Sequence, residues 1–264
     1  MKYRLDNDMH CHTHLSLCSG DPAQTAEAVV RFAEEHGYAV QCITDHLWDE
    51  EGLPGAPEWY ARQDIAHVRS DLPLPRSDKV RVVFGCETEM NAQGVVGVHP
   101  SHFGLFDFIV IPPNHFHMEH VRDKAVYNTE KKVADYLVER LEAIGRMDLP
   151  FYKVGIAHIN CSLIMSEGDQ FRVYDLVDEG RYRSAMRTLA DKGAGIELNA
   201  ASFVGTPKEK MPSALRLFRM AKEEGCRFYL ASDAHHPAAL GNILRIGDVI
   251  DALGLTEDDK FRLA

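Results

Sequence analysis

The sequence predicts an α/β fold in which one parallel sheet closes, or nearly closes, into a barrel. Apolar, strand-like runs alternate with segments of helical spacing along the chain, a pattern typical of parallel strands joined by crossover helices. Roughly seven such units fit into 264 residues, a length that one β/α barrel commonly uses. We find no long linker, low-complexity segment or internal repeat, so residues 1–264 are expected to form a single domain.

The first half of the chain carries the first predicted strands. Each is a short apolar run that ends in polar side chains, as expected where a buried strand leaves a sheet. These runs open near residue 8 and lie at residues 38–46, 80–89 and 106–113. Residues 25–37 have helical spacing and end in Gly37, a residue type that commonly closes a helix. A Gly- and Pro-rich loop then precedes a predicted helix near residues 57–70.

The second half repeats the alternation of strand and helix. The predicted strands lie at residues 152–158, 194–200 and 226–235. The predicted helices lie around residues 128–146, at 182–193, at 213–225 and in the tail at 238–263. Gly193 and Gly225 end two of these helices, as glycine often does.

The composition argues against several partners and locations. Lys and Arg total 29 against 40 Asp and Glu, for a formal net charge of -11, and without a basic stripe we expect no nucleic acid among the partners. No apolar run approaches the roughly 20 residues that a bilayer requires, so we expect no membrane association. The opening MKYRLDNDM lacks the apolar core of a signal peptide, which predicts a cytoplasmic location. Six cysteines without a CxxC pair predict reduced, mostly buried thiols.

Polar side chains that can bind metal follow every predicted strand. In a β/α barrel the carboxyl ends of the strands meet on one face, where active sites are built. These ends carry His10 and His12, Asp45 and His46, Glu87 and Glu89, His115 and His117, His158, Glu197 and Asn199, and Asp233 and His235. Side chains two positions apart in a strand share a face, so His10 and His12 can reach one ion. Because imidazole with carboxylate suits zinc, manganese or iron, the sequence predicts a metal centre here.

Six short motifs occur in the order found in the PHP (polymerase and histidinol phosphatase) family, which the chain resembles. The opening DMHCHT matches the family pattern D-x-H-x-H-[ST]. The other motifs are ITDH after the second strand, GCE in the third, NHF after the fourth, GIAHI in the fifth and SDAHH after the last. The resemblance runs from residue 8 to about residue 240, and it implies a distorted (β/α)7 barrel with two or three divalent metal ions.

The resemblance also implies how the metal ligands are shared. The first ion would be held by His10, His12, Glu87 and Asp233. A second would share Glu87 and add His115 and His158, and a third would take His46 and His235. His117, two residues after His115, is an alternative ligand to it. Family members with three full sites carry a histidine where this chain has Cys18, so the third site is expected to be thiolate-assisted, weak or empty.

The implied reaction is hydrolysis of a small phosphate monoester, with histidinol phosphate as one candidate. A water between two cations bridged by Glu87 would lose its proton near neutral pH and attack phosphorus. His235 or His46 would bind a third ion or protonate the leaving oxygen. Asp45 would orient an imidazole or serve as a cap or turn residue, and Asn199 would donate to the substrate or to a metal-bound water.

The motifs do not identify the residues that bind the phosphate group or the rest of the substrate. Lys124, Lys153, Arg172 and Arg245 are candidate phosphate contacts, although such residues are more often solvated surface charges. Trp48, Trp59 and Tyr60 would stack on a substrate ring or anchor their loop.

Two further function classes remain open at this point. An amidohydrolase-type enzyme that cleaves C–N or lactone bonds also opens with HxH and closes with an aspartate. Those enzymes often bridge the metals with a modified lysine, whereas the bridging position here is Glu87. A non-catalytic PHP-like module is the second alternative, but such a module is expected to have lost ligands that this chain retains.

Overall fold

The computed structural model describes residues 1–49, 53–56, 58–119, 121–122, 129–165 and 168–263. Its strands form one sheet, and every ladder between neighbouring strands is parallel. The strands are β1 (Asn7–Asp8), β2 (Val40–Ile43), β3 (His46–Leu47), β4 (Arg81–Thr88), β5 (Phe108–Ile111), β6 (Val154–Ile156), β7 (Gly195–Asn199) and β8 (Arg227–Ala231).

The sheet curls into a nearly closed barrel with seven strand positions. β2 and the short β3 both pair with β4 and together form one interrupted strand. β1 and β8 meet at the seam, where Met9 N donates to Leu230 O at 2.9 Å and Asp233 N donates to His10 O at 2.9 Å. The prediction of a seven-unit α/β barrel is therefore confirmed.

The helices cover the outside of this sheet. They are α1 (Ala26–Glu35), α2 (Ile65–Val68), α3 (Glu130–Arg146), α4 (Gln170–Leu176), α5 (Glu179–Lys192), α6 (Ala200–Phe203), α7 (Met211–Glu223) and α8 (Gly247–Leu253). Their ends carry the expected caps: the Thr25 side chain accepts from Ala28 N at the start of α1. Gly193 ends α5 in the left-handed region, with φ of 87°, a conformation that glycine adopts without steric cost.

Several predicted elements are shorter than the sequence pattern suggested. The helix expected near residues 57–70 is reduced to a 3-10 turn at Glu58–Tyr60 and to α2, while residue 57 lies outside the described residues. The tail contains α8 between 3-10 segments at Pro237–Arg245 and Glu257–Asp259 rather than one continuous helix. In the tail, Gly241, Gly247 and Gly254 disfavour one continuous helix, and Gly254 ends α8 in the left-handed region with φ of 62°.

The first strand is also shorter than predicted, and His10 and His12 lie beyond it. Cys11 N donates to the Thr44 side chain, at 3.0 Å from Oγ1, while Thr44 N donates to Cys11 O at 2.9 Å and His12 N donates to Ala234 O at 3.1 Å. Backbone bonds to the segments that follow β2 and β8 therefore continue past β1 and hold His10 and His12 in place. Cys11 itself is a buried thiol, as expected.

The barrel interior is filled at the amino ends of the strands and open at the carboxyl ends. Phe108 and Tyr229 meet edge to face inside the barrel, with ring centroids 5.3 Å apart. Phe261, from the chain terminus, packs against both rings. A Cβ at Gly155 would lie 2.5 Å from the Tyr229 hydroxyl, so glycine is required there. Among the described helices, none has the length and apolar character needed to cross a membrane.

Candidate metal centre

Side chains from the two seam strands and from β4 converge at the open end of the barrel. His10 Nε2 and His12 Nε2 lie 3.0 Å apart. Glu87 Oε2 is 3.3 Å from each of these nitrogens, and Asp233 Oδ1 is 3.3 Å from His12 Nε2. The four groups predicted to hold the first ion thus share one small volume, and all but Asp233 are almost fully buried.

Glu87 lies among four imidazoles. Besides His10 and His12, its Oε2 is 3.0 Å from His46 Nδ1, and its Oε1 is 3.2 Å from His158 Nε2. One carboxylate that faces nitrogen donors through both oxygens has the arrangement expected of a ligand shared between two cations.

Three overlapping groups of potential ligands follow from these distances. Within each group the ligand atoms lie within 4.8 Å of one another. The groups are His10, His12 and Asp233; His10, Glu87 and His158; and His12, His46 and His235. Imidazole nitrogen and carboxylate oxygen at this spacing are a donor set that suits zinc and similar ions, so the residues present fit a cluster of divalent cations.

The carboxylates of Glu87 and Asp233 need positive charge beside them to stay ionised in the cluster. Burial alone would raise the pKa of the Glu87 carboxyl, but the imidazoles of His46 and His10 hold it well below its usual range. Burial likewise opposes ionisation of Asp233, and His10 and His12 lower its pKa well below the usual value. Two buried carboxylates therefore stay ionised, a state that needs either protonated imidazoles or cations beside them.

Two of the predicted ligands are neutral imidazoles, the form that binds metal. Burial, reinforced by His158, lowers the pKa of His115 to about 3. Burial, reinforced by His12, lowers that of His235 to about 3. A histidine with so low a pKa is a better metal ligand than proton donor at neutral pH.

Glu197, on β7, fixes the orientation of His10. Its Oε2 lies 2.8 Å from His10 Nδ1 and accepts from the Tyr229 hydroxyl at 3.0 Å. Its Oε1 accepts from His158 N at 3.2 Å. Holding Nδ1 in this way directs His10 Nε2 toward the cluster, a role that carboxylates commonly play behind metal-binding histidines.

Asn199, predicted to contact substrate, is buried beside Glu197. Its Nδ2 donates to Glu197 Oε1 at 2.9 Å and to Asp233 Oδ2 at 3.0 Å. Its Oδ1 accepts from Ser202 N and caps α6. These bonds engage both amide hydrogens in holding acids of the cluster, and substrate contact by Asn199 stays a prediction.

Asp45 acts on His12 through Ser16, a residue that sequence reasoning did not single out. Ser16 Oγ donates to Asp45 Oδ1 at 2.6 Å and lies 2.9 Å from His12 Nδ1. Asp45 also accepts from Thr13 N and Thr13 Oγ1, both at 2.8 Å. The expectation that Asp45 orients an imidazole fits this geometry, with His12 rather than the adjacent His46 as the imidazole.

His115 lies at the edge of the cluster. Its ring stacks on that of His158 with centroids 4.6 Å apart, and its Nδ1 pairs with Glu89 Oε1. Glu89 is fully buried and also accepts from the Tyr60 hydroxyl at 3.3 Å. His117 is exposed and lines the same cavity, so the choice between His115 and His117 as a ligand stays a prediction.

The third predicted site is formed by stacked rings at the cavity wall. The rings of His12 and His235 lie 4.1 Å apart between centroids, and Trp59 meets His46 edge to face at 4.8 Å. Cys18 lines the same cavity and is partly exposed. Partial desolvation, with Glu87 and Asp233 nearby, raises the pKa of its thiol to about 12. A thiolate at this position would require a cation beside it.

A cavity of about 390 Å³ opens over the cluster. Trp59, Met118 and Leu163 form its apolar wall, while Trp48 and Tyr60 are buried in the loop. None of its described lining residues is Lys or Arg. Among these residues, imidazoles and two acids face any anion that enters.

The three predicted basic contacts that the structure describes do not line this cavity. Lys153, one of the candidate contacts, precedes β6 at the opposite end of the barrel and donates to Phe103 O and Phe106 O at 2.7 Å each, so it is not a contact at the cavity. Arg172 and Arg245 are exposed and do not line the cavity. Lys124 lies outside the described residues.

Comparison with known proteins agrees with this architecture. The family model described as the PHP domain matches residues 8–201. A probable phosphatase of Vibrio atlanticus is 23% identical over 252 residues, which cover 94% of this chain and 85% of that protein. A probable histidinol-phosphatase of Deinococcus radiodurans is 26% identical over 260 residues, and 90% of each chain is covered.

A solved structure shares the fold over nearly the full length. It is the histidinol phosphate phosphatase of Lactococcus lactis, complexed with zinc, L-histidinol and phosphate, with a TM-score of 0.61 at 17% identity. The match covers 97% of this chain and 98% of that chain.

Proposed function

The chain belongs to the PHP domain family, and we propose that it is a metal-dependent phosphatase that hydrolyses a small phosphate monoester. The single observation that carries the proposal is the position of Glu87, which faces four imidazoles within 3.3 Å. Phosphatase names among the relatives support the reaction class. Histidinol phosphate, the compound implied by one relative's name, is the first ester to assay.

We propose two or three divalent cations as the cofactors. His10, His12, Glu87 and Asp233 would hold one; His158, with His115 and the shared Glu87, would hold a second; and His46 and His235 would hold a third. The zinc in the Lactococcus lactis structure makes zinc the first ion to test, followed by manganese and iron. When bound, the cations would supply charge for phosphoryl oxygens and lower the pKa of a water toward about 7.

Residues of this chain would position the metal ligands and the substrate. The cavity has no Lys or Arg among its described lining residues, so the ligand cluster must recruit the positive charge that binds phosphate. Glu197 and the Ser16–Asp45 pair would hold His10 and His12 in place as the substrate binds. His235, with its low pKa, would bind an ion rather than deliver a proton to the leaving oxygen.

The wider predictions rest on the same geometry. β8 carries Asp233 to the site and closes against β1, which supports residues 1–264 as one functional domain. The six cysteines are free thiols, and five of them are buried, which supports the proposed cytoplasmic location. The proposed partner is a small phosphate ester, without nucleic acid or membrane.

The proposal is tested with a panel of substrates and metals. Protein purified without chelator is assayed with zinc, manganese or iron against phosphate monoesters, lactones and cyclic amides. We expect turnover of phosphate esters that depends on the metal. Turnover confined to lactones or amides would support the amidohydrolase alternative, and a metal-loaded protein with no turnover of any ester would support a non-catalytic module.

A further inference from the structure

A second cavity, of about 500 Å³, lies beside the metal centre. It shares Leu163 and Asp233 with the first cavity, so a ligand anchored at the cluster can extend into it. Its polar walls are made of neutral side chains: Asn160, Ser162, Gln170, Asn199, Ser202 and Thr206. Phe171 adds an apolar face. The cavity is therefore suited to a group that is polar and uncharged.

Asn160 is the residue in this wall with unused hydrogen-bonding capacity. Its side chain is 2% exposed, and neither Nδ2 nor Oδ1 has a hydrogen-bond partner in the part of the chain that the structure describes. Buried amides are nearly always paired, because an unpaired donor or acceptor loses its water without compensation. Asn199, in the same wall, has both amide hydrogens engaged by Glu197 and Asp233.

The charges around the cavity disfavour a cationic occupant. Asp233 is the one acid among the described lining residues, and its carboxylate already faces His12 and Asn199. Asp169, which precedes Gln170, is paired with Lys210 at 2.6 Å. An ammonium group would lose hydration here without a dedicated carboxylate, whereas a hydroxyl-bearing group would find amide and hydroxyl partners.

We propose that the second cavity binds the leaving alcohol of the phosphate ester and that the Asn160 amide pairs with a hydrogen-bond donor and acceptor on it. This inference rests on the proposed phosphatase function. It assigns the substrate class as phosphate esters of neutral, hydroxyl-bearing alcohols such as sugars and polyols, rather than esters of cationic amino alcohols such as histidinol.

The test compares ester classes in the wild type and in Asn160→Leu. Both metal-loaded proteins are assayed with ribose 5-phosphate, glycerol 1-phosphate, histidinol phosphate and p-nitrophenyl phosphate, whose aryl leaving group lacks the hydroxyls of a sugar. We expect the wild type to prefer at least one of the two neutral polyol esters over histidinol phosphate. In Asn160→Leu, kcat/KM for that ester should fall about tenfold or more, with p-nitrophenyl phosphate changed by less than about twofold.

Stability separates a binding role from a structural one. Because the Asn160 amide has no partner among the described residues, Asn160→Leu should keep or raise the Tm and keep the wild-type metal content. Asn91→Leu is the matched control: Asn91 is also buried, but its Oδ1 accepts from Gln93 N and Val95 N at 3.0 and 2.9 Å, so its Tm should fall.

Different outcomes would overturn the role of the second cavity and the proposed phosphatase function. Equal losses on the preferred polyol ester and p-nitrophenyl phosphate, no loss on either, or a wild-type preference for histidinol phosphate would overturn the inference while leaving a phosphatase. A wild type that hydrolyses none of the esters with any metal would overturn the proposed function, and the inference with it. A lower Tm in Asn160→Leu would show that the amide has a structural partner, which also overturns the inference.

Discussion

Glu197 Oε2 lies 2.8 Å from His10 Nδ1, at a point where both side chains are fully buried. The two residues are 187 positions apart in the sequence, and β7 brings the acid beneath the imidazole of the opening motif. Because the acid holds Nδ1, His10 Nε2 is left to face His12, Glu87 and Asp233. The geometry of the cluster therefore depends on a residue that is not among the predicted metal ligands.

Glu197→Gln should weaken the centre without dismantling it. The amide keeps the size of the acid but loses the charge that makes His10 a stronger ligand, so metal affinity or kcat/KM should fall by about 10- to 100-fold. Metal titration and steady-state assays measure this. Glu209→Gln, an exposed change, is the control and should match the wild type. Wild-type affinity and activity in Glu197→Gln would show that His10 needs no such support.

Ser16→Ala tests the link between Asp45 and His12. The variant removes the hydroxyl that joins His12 Nδ1 to Asp45 Oδ1, and we expect about a tenfold or greater loss of metal affinity or activity. Asp45→Asn should give a loss of similar size, and the double variant should lose little more than either single one, because the residues act as one unit. Fully additive losses would contradict the link from Asp45 through Ser16 to His12.

Metal should stabilise the fold through the same cluster. A cation at about one hundred times its Kd adds about 2.7 kcal/mol, which at about 2–4 °C per kcal/mol predicts a rise in Tm of roughly 5–10 °C over protein treated with chelator. Glu87→Gln should abolish most of that rise, because it removes the carboxylate charge shared between the sites. A Tm that does not respond to zinc, manganese or iron would argue against a resident metal.

Glu257 anchors the chain terminus and predicts a pH dependence away from the site. Burial would raise its pKa, but the Arg4 backbone N–H and the Lys260 and Arg262 side chains lower it to about 2. A lowered folded-state pKa stabilises the fold above the unfolded value of about 4.5, and that stabilisation is lost as the pH falls toward 2.

Glu257→Gln should therefore cost about 1.5–3 kcal/mol at pH 7, with the difference from wild type shrinking below about pH 4.5. Urea unfolding across this range measures it. Asp258→Asn, at the exposed neighbouring position, serves as the control. An unchanged gap between wild type and Glu257→Gln down to pH 3 would contradict the assignment.

The barrel and most of the candidate ligands could be predicted because their signals are local. The apolar runs of the parallel strands end in polar side chains, so Glu87, His158 and Asp233 stand out at or just after the ends of such runs. Their convergence then follows from the barrel, which brings the ends of all strands to one face.

The supporting residues could not be predicted in the same way. Ser16 has no local signal, and its partner Asp45 lies 29 residues away. Glu197 was visible at a strand end, but only the closed barrel shows that it reaches His10 while Asn199 turns to cap α6. The sequence pattern placed Lys153 inside the strand predicted at residues 152–158, whereas β6 begins only at Val154.

The most direct test of the account is a crystal structure of the protein grown with excess zinc, with anomalous scattering measured at the zinc edge. We expect at least two zinc peaks among His10, His12, Glu87, His158 and Asp233, with the Glu87 carboxylate in contact with two of them. Well-ordered density for these side chains with no anomalous peak between them would contradict the claim that the cluster is a metal centre.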